Sequence, residues 1–256
     1  MTSYALITGT TSGIGKALAA KFAREGVNLI LVSRDEGKLK KQAERLSGRY
    51  RVKVHVVAVD LIKPDAARIV YNRVRQMGIR VRYLVNNAGF NESGSFLETA
   101  ADKEIDMIRL HAICTTQMMK LFIPDMVKSG HGRVLNLGSI ASYMACPGEA
   151  VYAATKAYVL SVSKAIGAEL KGTGVTITTL CPGATRTEFA KKAGMEHTLL
   201  FKTMVMKPET VANIGYNALM AGKPYAIAGV YNKLLVLGSK LAPGSLLNAA
   251  LRVMLR

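Results

Sequence analysis

The stretch Tyr4-Ala5-Leu6-Ile7-Thr8-Gly9-Thr10-Thr11-Ser12-Gly13-Ile14-Gly15 runs from an apolar segment into a glycine-rich turn, and Lys16-Ala17-Leu18-Ala19-Ala20-Lys21-Phe22-Ala23 follows with helical composition. An apolar strand delivers the backbone to a turn where Gly9 and Gly13 put no side chain in the way. The first amides of the next helix then face outward, unpaired. Their partial positive charge suits a pyrophosphate. The spacing is G-x-x-x-G-x-G, distinct from the G-x-G-x-x-G fingerprint, and no Gly-Lys-Ser/Thr closes it as a P-loop would. By itself such a turn can also be no more than a tight connection.

Strand and helix alternate outward from this point. Asn28-Leu29-Ile30-Leu31-Val32 reads as a buried strand, and Asp35 to Ser47 as a helix with Gly48 as its stop. Val52 to Val59 alternates and ends in Asp60-Leu61. Pro64-Asp65 opens a helix to Met77-Gly78, and Tyr83-Leu84-Val85 leads into Asn86-Asn87-Ala88-Gly89. A long helical stretch from about Ala101 to Lys128 precedes the strand Arg133-Val134-Leu135-Asn136-Leu137, which ends at Gly138-Ser139. Tyr143 to Leu170 carries Tyr152 and Lys156, and the strand Val175 to Leu180 ends at Cys181-Pro182-Gly183. Lys207-Pro208-Glu209-Thr210 starts a helix with Pro near its first position, and a short strand near Tyr225 to Ala228 completes the pattern. The order predicts an α/β fold: one doubly wound parallel sheet, right-handed crossovers, helices on both faces. Ligands of such sheets bind beyond the carboxyl ends of the strands, where these polar motifs fall. No repeat or low-complexity linker divides the chain, so one domain is expected.

The composition supplies ample core, with 50% hydrophobic residues in 256. The 35 Lys+Arg against 17 Asp+Glu leave a net charge of +18, a field that favours anionic ligands or surfaces. Part of the excess clusters in Arg34, Lys38, Lys40, Lys41, Arg45, Arg49, Arg51 and Lys53, without the aromatic interleaving of a single-strand nucleic-acid platform. Cys114, Cys146 and Cys181 lack CxxC spacing and the four histidines form no ligand pair, so neither a metal site nor a disulfide scaffold is expected. A strand pattern directly after Met1-Thr2-Ser3, with no basic n-region, carries the expectation of a reducing cytoplasm. No apolar run reaches the ~18 residues that would cross a bilayer.

Tyr152 and Lys156 stand at i and i+4, sharing one face of a helix. A phenol with pKa near ~10 is a poor acid or base at neutral pH. A nearby ammonium stabilises phenolate and brings it toward the range where acid-base catalysis works. Ser139, ending the preceding strand, can reach the same pocket and hydrogen-bond a carbonyl or hydroxyl.

Taken together, Thr8-Gly9-Thr10-Thr11-Ser12-Gly13-Ile14-Gly15, Asp60, Asn86-Asn87-Ala88-Gly89, Ser139, Tyr152-x-x-x-Lys156 and Pro182-Gly183 resemble the short-chain dehydrogenase/reductase family, in its order and spacing, over residues 4 to 228. The resemblance implies a Rossmann-type sheet in a 1–228 domain and an oxidoreductase in which Tyr152 is the acid/base and Ser139 positions the reacting carbonyl. Lys156 would hold the nicotinamide ribose and tune Tyr152. Gly9, Thr11, Ser12, Gly13, Ile14 and Gly15 would cradle the cofactor. Asp60 and Leu61 would lie by the adenine, Asn87, Ala88 and Gly89 by the adenosine, and Pro182, Gly183, Thr185 and Thr187 by the nicotinamide and pyrophosphate. The family's frequent pairing through helices implies a homodimer or homotetramer.

At one position the chain departs. Where the family usually carries an Asn that anchors a relay water, this chain has His111. The imidazole can itself hold that water, since it both donates and accepts, or it can be a satisfied core histidine with the relay rerouted. Cofactor choice follows from the end of the second strand. Members specific for NAD usually have an acid there to bind the ribose 2′-OH. Here Ser33 takes that place and Arg34 follows, and a guanidinium grips a phosphate in a fork. NADP(H) is therefore expected, with Arg34 and Ser12 on the 2′-phosphate and Lys38 helping.

The irregular segment 186–207 corresponds to a substrate-covering loop, with Met195, Leu199, Leu200, Phe201, Met204, Val205 and Met206 lining an adaptable apolar cavity. Around Gly26 to Arg34 the chain is similar to the hydroxysteroid and long-chain 3-oxoacyl-thioester reductase branch, which implies a hydrophobic ketone or 3-oxoacyl substrate. Beyond residue 228 the family pattern fades into an apolar, basic extension, 229–256. It can pack on the domain, form a subunit interface, or lie in a membrane plane. A non-catalytic NADP-binding regulator, using the basic face for a partner or RNA, is the alternative function.

Overall fold

The computed structural model describes residues 3–189, Thr198 and 205–243. Apolar runs rich in Val, Ile and Leu, flanked by turns, become strands, the inner ones buried on both faces as a sheet covered by helices requires and the two edge strands less so. These are β1 (Tyr4–Thr8), β2 (Asn28–Ser33), β3 (Val54–Ala58), β4 (Val81–Asn86), β5 (Gly132–Leu137), β6 (Val175–Cys181) and β7 (Tyr225–Ile227). All pairs are parallel, in the order β3-β2-β1-β4-β5-β6-β7. The chain winds one way from β1 to β3, then restarts at β4 on the other side of β1. The crevice of this Rossmann-type sheet therefore opens between the carboxyl ends of β1 and β4.

Helices α1 (Gly13–Arg24), α2 (Glu36–Tyr50) and α7 (Pro208–Met220) cover one face, where Leu18, Phe22, Leu39, Leu46, Val211 and Tyr216 meet Ala5, Ile7, Leu29 and Leu31. Phe22 lies between the rings of Tyr83, at 5.4 Å, and Tyr216, at 5.0 Å, the latter edge-on. On the other face α3 (Ala66–Gln76), α5 (Thr115–Lys128) and α6 (Ala150–Glu169) close over Leu6, Ile30, Leu84 and Val134, and α4 (Ala101–Ile108) packs against α6. Helix α8 (Val230–Leu241) follows β7.

Two boundaries differ from the sequence expectation. Helix α2 runs through Gly48 to Tyr50, and Arg51 ends it in the left-handed conformation at φ 55°, its N–H donating to the Ser47 carbonyl at 2.9 Å. Tyr50 packs on the core and holds the extra turn in place, so tertiary contact overrides the glycine stop. The stretch expected as one helix from Ala101 to Lys128 contains a π-helical turn, Arg109–Cys114, between α4 and α5. Met195, Leu199, Leu200, Phe201, Met204 and the segment 244–256 lie outside the described residues. No described helix is long and apolar enough to cross a membrane.

A non-glycine residue in the left-handed region costs roughly 1 kcal/mol. Arg51→Gly is therefore expected to stabilise the fold by about that amount in urea unfolding; a lower midpoint would contradict this account of the α2 cap.

Candidate active site

At the crevice, two loops approach as closely as backbones can. Gly9 turns at φ 68°, where a Cβ would stand 2.8 Å from the Ala88 Cα, and a Cβ on Gly15 would run into the Gly9 carbonyl and the Asn87 amide. Asn87 fastens the two strand ends: its Nδ2 donates to the carbonyls of Thr8 at 2.9 Å and Gly9 at 3.0 Å. The Thr8 hydroxyl accepts from the backbone N–H groups of Asn87 and Ala88, both at 2.9 Å. The resulting cradle, walled by backbone at the N-terminus of α1, fits a dinucleotide pyrophosphate.

A cavity of about 680 Å³ extends from it across the strand ends. Gly9, Thr11, Ser12, Gly13, Ile14 and Gly15 form one end, with Ser33, Arg34, Asp60 and Leu61 beside them. Asn87, Ala88, Gly89, Pro182, Gly183, Thr185 and Thr187 line the middle, and Ser139, Tyr152 and Lys156 the far part. Two expected residues are not on its surface. Lys38 pairs with Asp35, Nζ to Oδ2 3.3 Å, on the exposed start of α2. His111 lies behind the wall.

Tyr152 sits in the first turn of α6 and Lys156 one turn on, as the spacing requires. A buried polar chain helps fix α6 to the sheet: Asn86 Nδ2 donates to Asn136 Oδ1, and Asn136 Nδ2 to Ser163 Oγ, each at 2.8 Å. Ser139 caps a short 3₁₀ turn, Ile140–Tyr143, its Oγ accepting from the Ala141 N–H at 3.1 Å. With a backbone donor on its lone pair, the Ser139 hydroxyl keeps its own proton for a partner in the cavity. The buried Lys156 ammonium donates to the Leu137 carbonyl at 3.0 Å and stands 5.6 Å from the Tyr152 ring centroid.

The electrostatics differ from the sequence reading in one respect. Burial raises the Tyr152 phenol well above its ordinary range, opposed by a hydrogen bond with Ser139 and reinforced by Glu149. Burial also pushes the Lys156 ammonium down to about 8. Desolvation dominates at the phenol, and Tyr152 stands neutral and protonated.

His111, in the π-helical turn, has both ring nitrogens engaged. Its Nδ1 lies 3.0 Å from Thr155 Oγ1, whose proton goes to the Tyr152 carbonyl at 2.8 Å, and its Nε2 accepts from the Phe90 N–H at 3.3 Å. These partners assign the proton to Nδ1. Burial, with the Lys156 charge nearby, holds the imidazole well below its usual pKa, so it is neutral.

Some residues of the cavity wall were not anticipated. Glu149, the residue at the N-cap of α6 three positions before Tyr152, has its carboxyl raised by burial and accepts from Asn91 Nδ2 at 2.6 Å. The i−3 spacing is the signal that could have found it. Leu235 comes from α8, beyond the expected domain edge. On that helix Asn232 donates to the Ala228 carbonyl at 2.6 Å and abuts Gly183, leaving no space there for a Cβ. Nothing in the local sequence signals these long-range contacts.

A glycine-walled dinucleotide cradle opening onto a phenol, a buried ammonium and a serine hydroxyl defines a nicotinamide-dependent oxidoreductase acting on alcohol and carbonyl groups. The chain belongs to the short-chain dehydrogenase/reductase family: the family model described as short chain dehydrogenase matches residues 3–197. It is similar to sulfoacetaldehyde reductase 2 of Chromohalobacter salexigens, at 36% identity over 196 residues, 74% of this chain and 75% of that protein. Very-long-chain 3-oxoacyl-CoA reductase of Mycosarcoma maydis is 32% identical over 230 residues, 87% of this chain and 64% of that one. Among solved structures, a short-chain dehydrogenase from Sphingobium yanoikuyae in complex with NADPH matches at a TM-score of 0.83 and 31% identity, over 93% of this chain and 94% of the other.

A base kept neutral by burial loses stabilising power once the unfolded chain can take the proton, so the His111 contribution falls as pH drops through ~6.5. His111→Asn is expected to flatten this part of the stability-pH curve, followed by urea unfolding. An unaltered slope below that pH would show that His111 is not buried neutral.

Proposed function

We propose that the protein interconverts a ketone and a secondary alcohol on a hydrophobic substrate, steroid-like or a 3-oxoacyl chain, using NADP(H). The observation that carries this reading is the convergence of Ser139, Tyr152 and Lys156 on a cavity shared with the glycine cradle. The nicotinamide cofactor, when bound, supplies or takes the hydride. Gly9 to Gly15, Asn87 to Gly89, and Pro182 to Thr187 would hold it. Every other task falls to the chain. The Ser139 and Tyr152 hydroxyls donate to the substrate carbonyl oxygen, and Tyr152 gives up its proton as charge grows there. The Lys156 ammonium, fixed by the Leu137 carbonyl 5.6 Å from the centre of the Tyr152 ring, then stabilises the phenolate by its charge. A phenol kept protonated by burial starts reduction in the correct state.

His111 acts in this reading as a latch joining Phe90 to Thr155, since both nitrogens are already taken, and the lysine exchanges its proton by another route. For the cofactor, Arg34 lines the cavity, while the acid that follows it, Asp35, caps α2 by accepting from the Lys38 N–H at 2.9 Å, and Asp60 accepts from the Ile62 N–H at 3.2 Å. A 2′-phosphate beside Arg34 would meet a guanidinium at the end of β2, where Ser33 stands in place of an acid. The NADPH-bound relative from Sphingobium yanoikuyae supports this preference. Substrate class rests on the apolar walls Leu137, Ile140, Met144, Phe189 and Leu235, and on similarity to the 3-oxoacyl-CoA reductase.

Tyr152→Phe is expected to cut turnover on a hydrophobic ketone by about 100-fold or more while NADPH still binds. Retained turnover sinks the assignment. Arg34→Ala should raise the NADPH KM about tenfold and leave NADH little changed; equal effects on both cofactors would remove the 2′-phosphate role. For reduction, kcat/KM should hold steady at lower pH and decline as Lys156 loses its charge near 8. In Lys156→Arg, whose guanidinium does not titrate, that decline should vanish.

A further inference from the structure

Helix α8 has two faces. Asn232 and Val236 turn inward and are buried, and Leu235 lines the cavity. Val230, Leu234, Leu237 and Leu241 follow one another at helical spacing and form a single stripe on the opposite side, 73%, 60%, 55% and 79% exposed. Isolated exposed aliphatics are ordinary, but four in line along ~18 Å of helix form a contiguous patch. Cations and tyrosines surround it. Lys233 and Lys240 are exposed on α8, which carries no acidic residue. Tyr231 is exposed beside the stripe, and Tyr225 stands before it with Lys164 Nζ 5.0 Å from its ring centroid.

We propose that this face of α8 lies in the plane of an anionic lipid surface, the aliphatic stripe at the boundary of headgroups and acyl chains and the lysines at phosphate level. Charge selects this occupant. Two-fold pairing through this face would bring Lys233 and Lys240 of both copies to one interface, with no acid on the helix to offset them and a net charge of +18 on each chain, whereas anionic headgroups neutralise them. Tyrosines, apolar in body and polar at the tip, suit the same boundary. Because the inner face of the helix lines the cavity, the contact also sets that cavity beside the lipid, a useful place for an apolar substrate. This last consequence rests on the proposed function; the contact itself does not.

The test is co-sedimentation of the full chain with phosphatidylcholine vesicles, with and without phosphatidylserine. The wild type should bind the anionic vesicles and lose them as salt rises. Leu234→Ser/Leu237→Ser and Lys233→Glu/Lys240→Glu, checked for an unchanged melting temperature, should each bind at least about tenfold more weakly. The proposal is overturned if the wild type leaves anionic vesicles unbound at low salt, or if both double variants bind like wild type. It is equally overturned by a dimer in analytical ultracentrifugation that the leucine variant dissociates, which would assign the stripe to a second copy. Since the readout is lipid binding, its failure leaves the catalytic reading standing.

Discussion

The site depends on the close approach of two backbone segments at the ends of β1 and β4. Gly9 and Gly15 must lack Cβ atoms for the first loop to settle against Asn87 and Ala88, and Asn87 then spends its amide on the Thr8 and Gly9 carbonyls. Spread these loops and the crevice loses the wall in which a phosphate would meet main-chain N–H groups. Everything further along the cavity takes its position from the same strand ends. Leu137 at the end of β5 holds the lysine, and Pro182 and Gly183 after β6 carry the wall onward.

Dryness is the second organising condition. A lysine, a tyrosine, a histidine and a glutamate lie in or behind one wall, and burial moves each toward its neutral form. The groups differ in how they are held. Lys156 gives a proton to a carbonyl, Glu149 accepts from Asn91, and His111 has a partner on each nitrogen. These bonds fix orientation, because rotation would break a hydrogen bond in a buried place. The π-helical turn is part of this arrangement, since it is where His111 enters the interior.

Helix α8 shows how a segment outside the family pattern joins the site. Asn232 seats it on Gly183, and Leu235 closes the cavity, so the chain after β7 shapes the space in which a substrate would lie. Its contribution depends on a partner about fifty positions away in sequence, and the local spacing of its leucines serves an inner and an outer face at once.

The sequence by itself determined the alternation of strands and helices, the glycine cradle, and the Tyr152–Lys156 spacing. Each is a local property: side-chain period, missing Cβ atoms, or one helical turn. It misjudged the end of α2, where Tyr50 packing outweighs Gly48, and the direction of the shift at Tyr152, where desolvation raises the phenol. Only the tertiary structure decided the tautomer of His111, the separation of Lys38 from the cavity and the entry of Glu149 and Leu235 into its wall. Those outcomes are set by which distant groups remove water from one another, and that is known only once the chain has closed on itself.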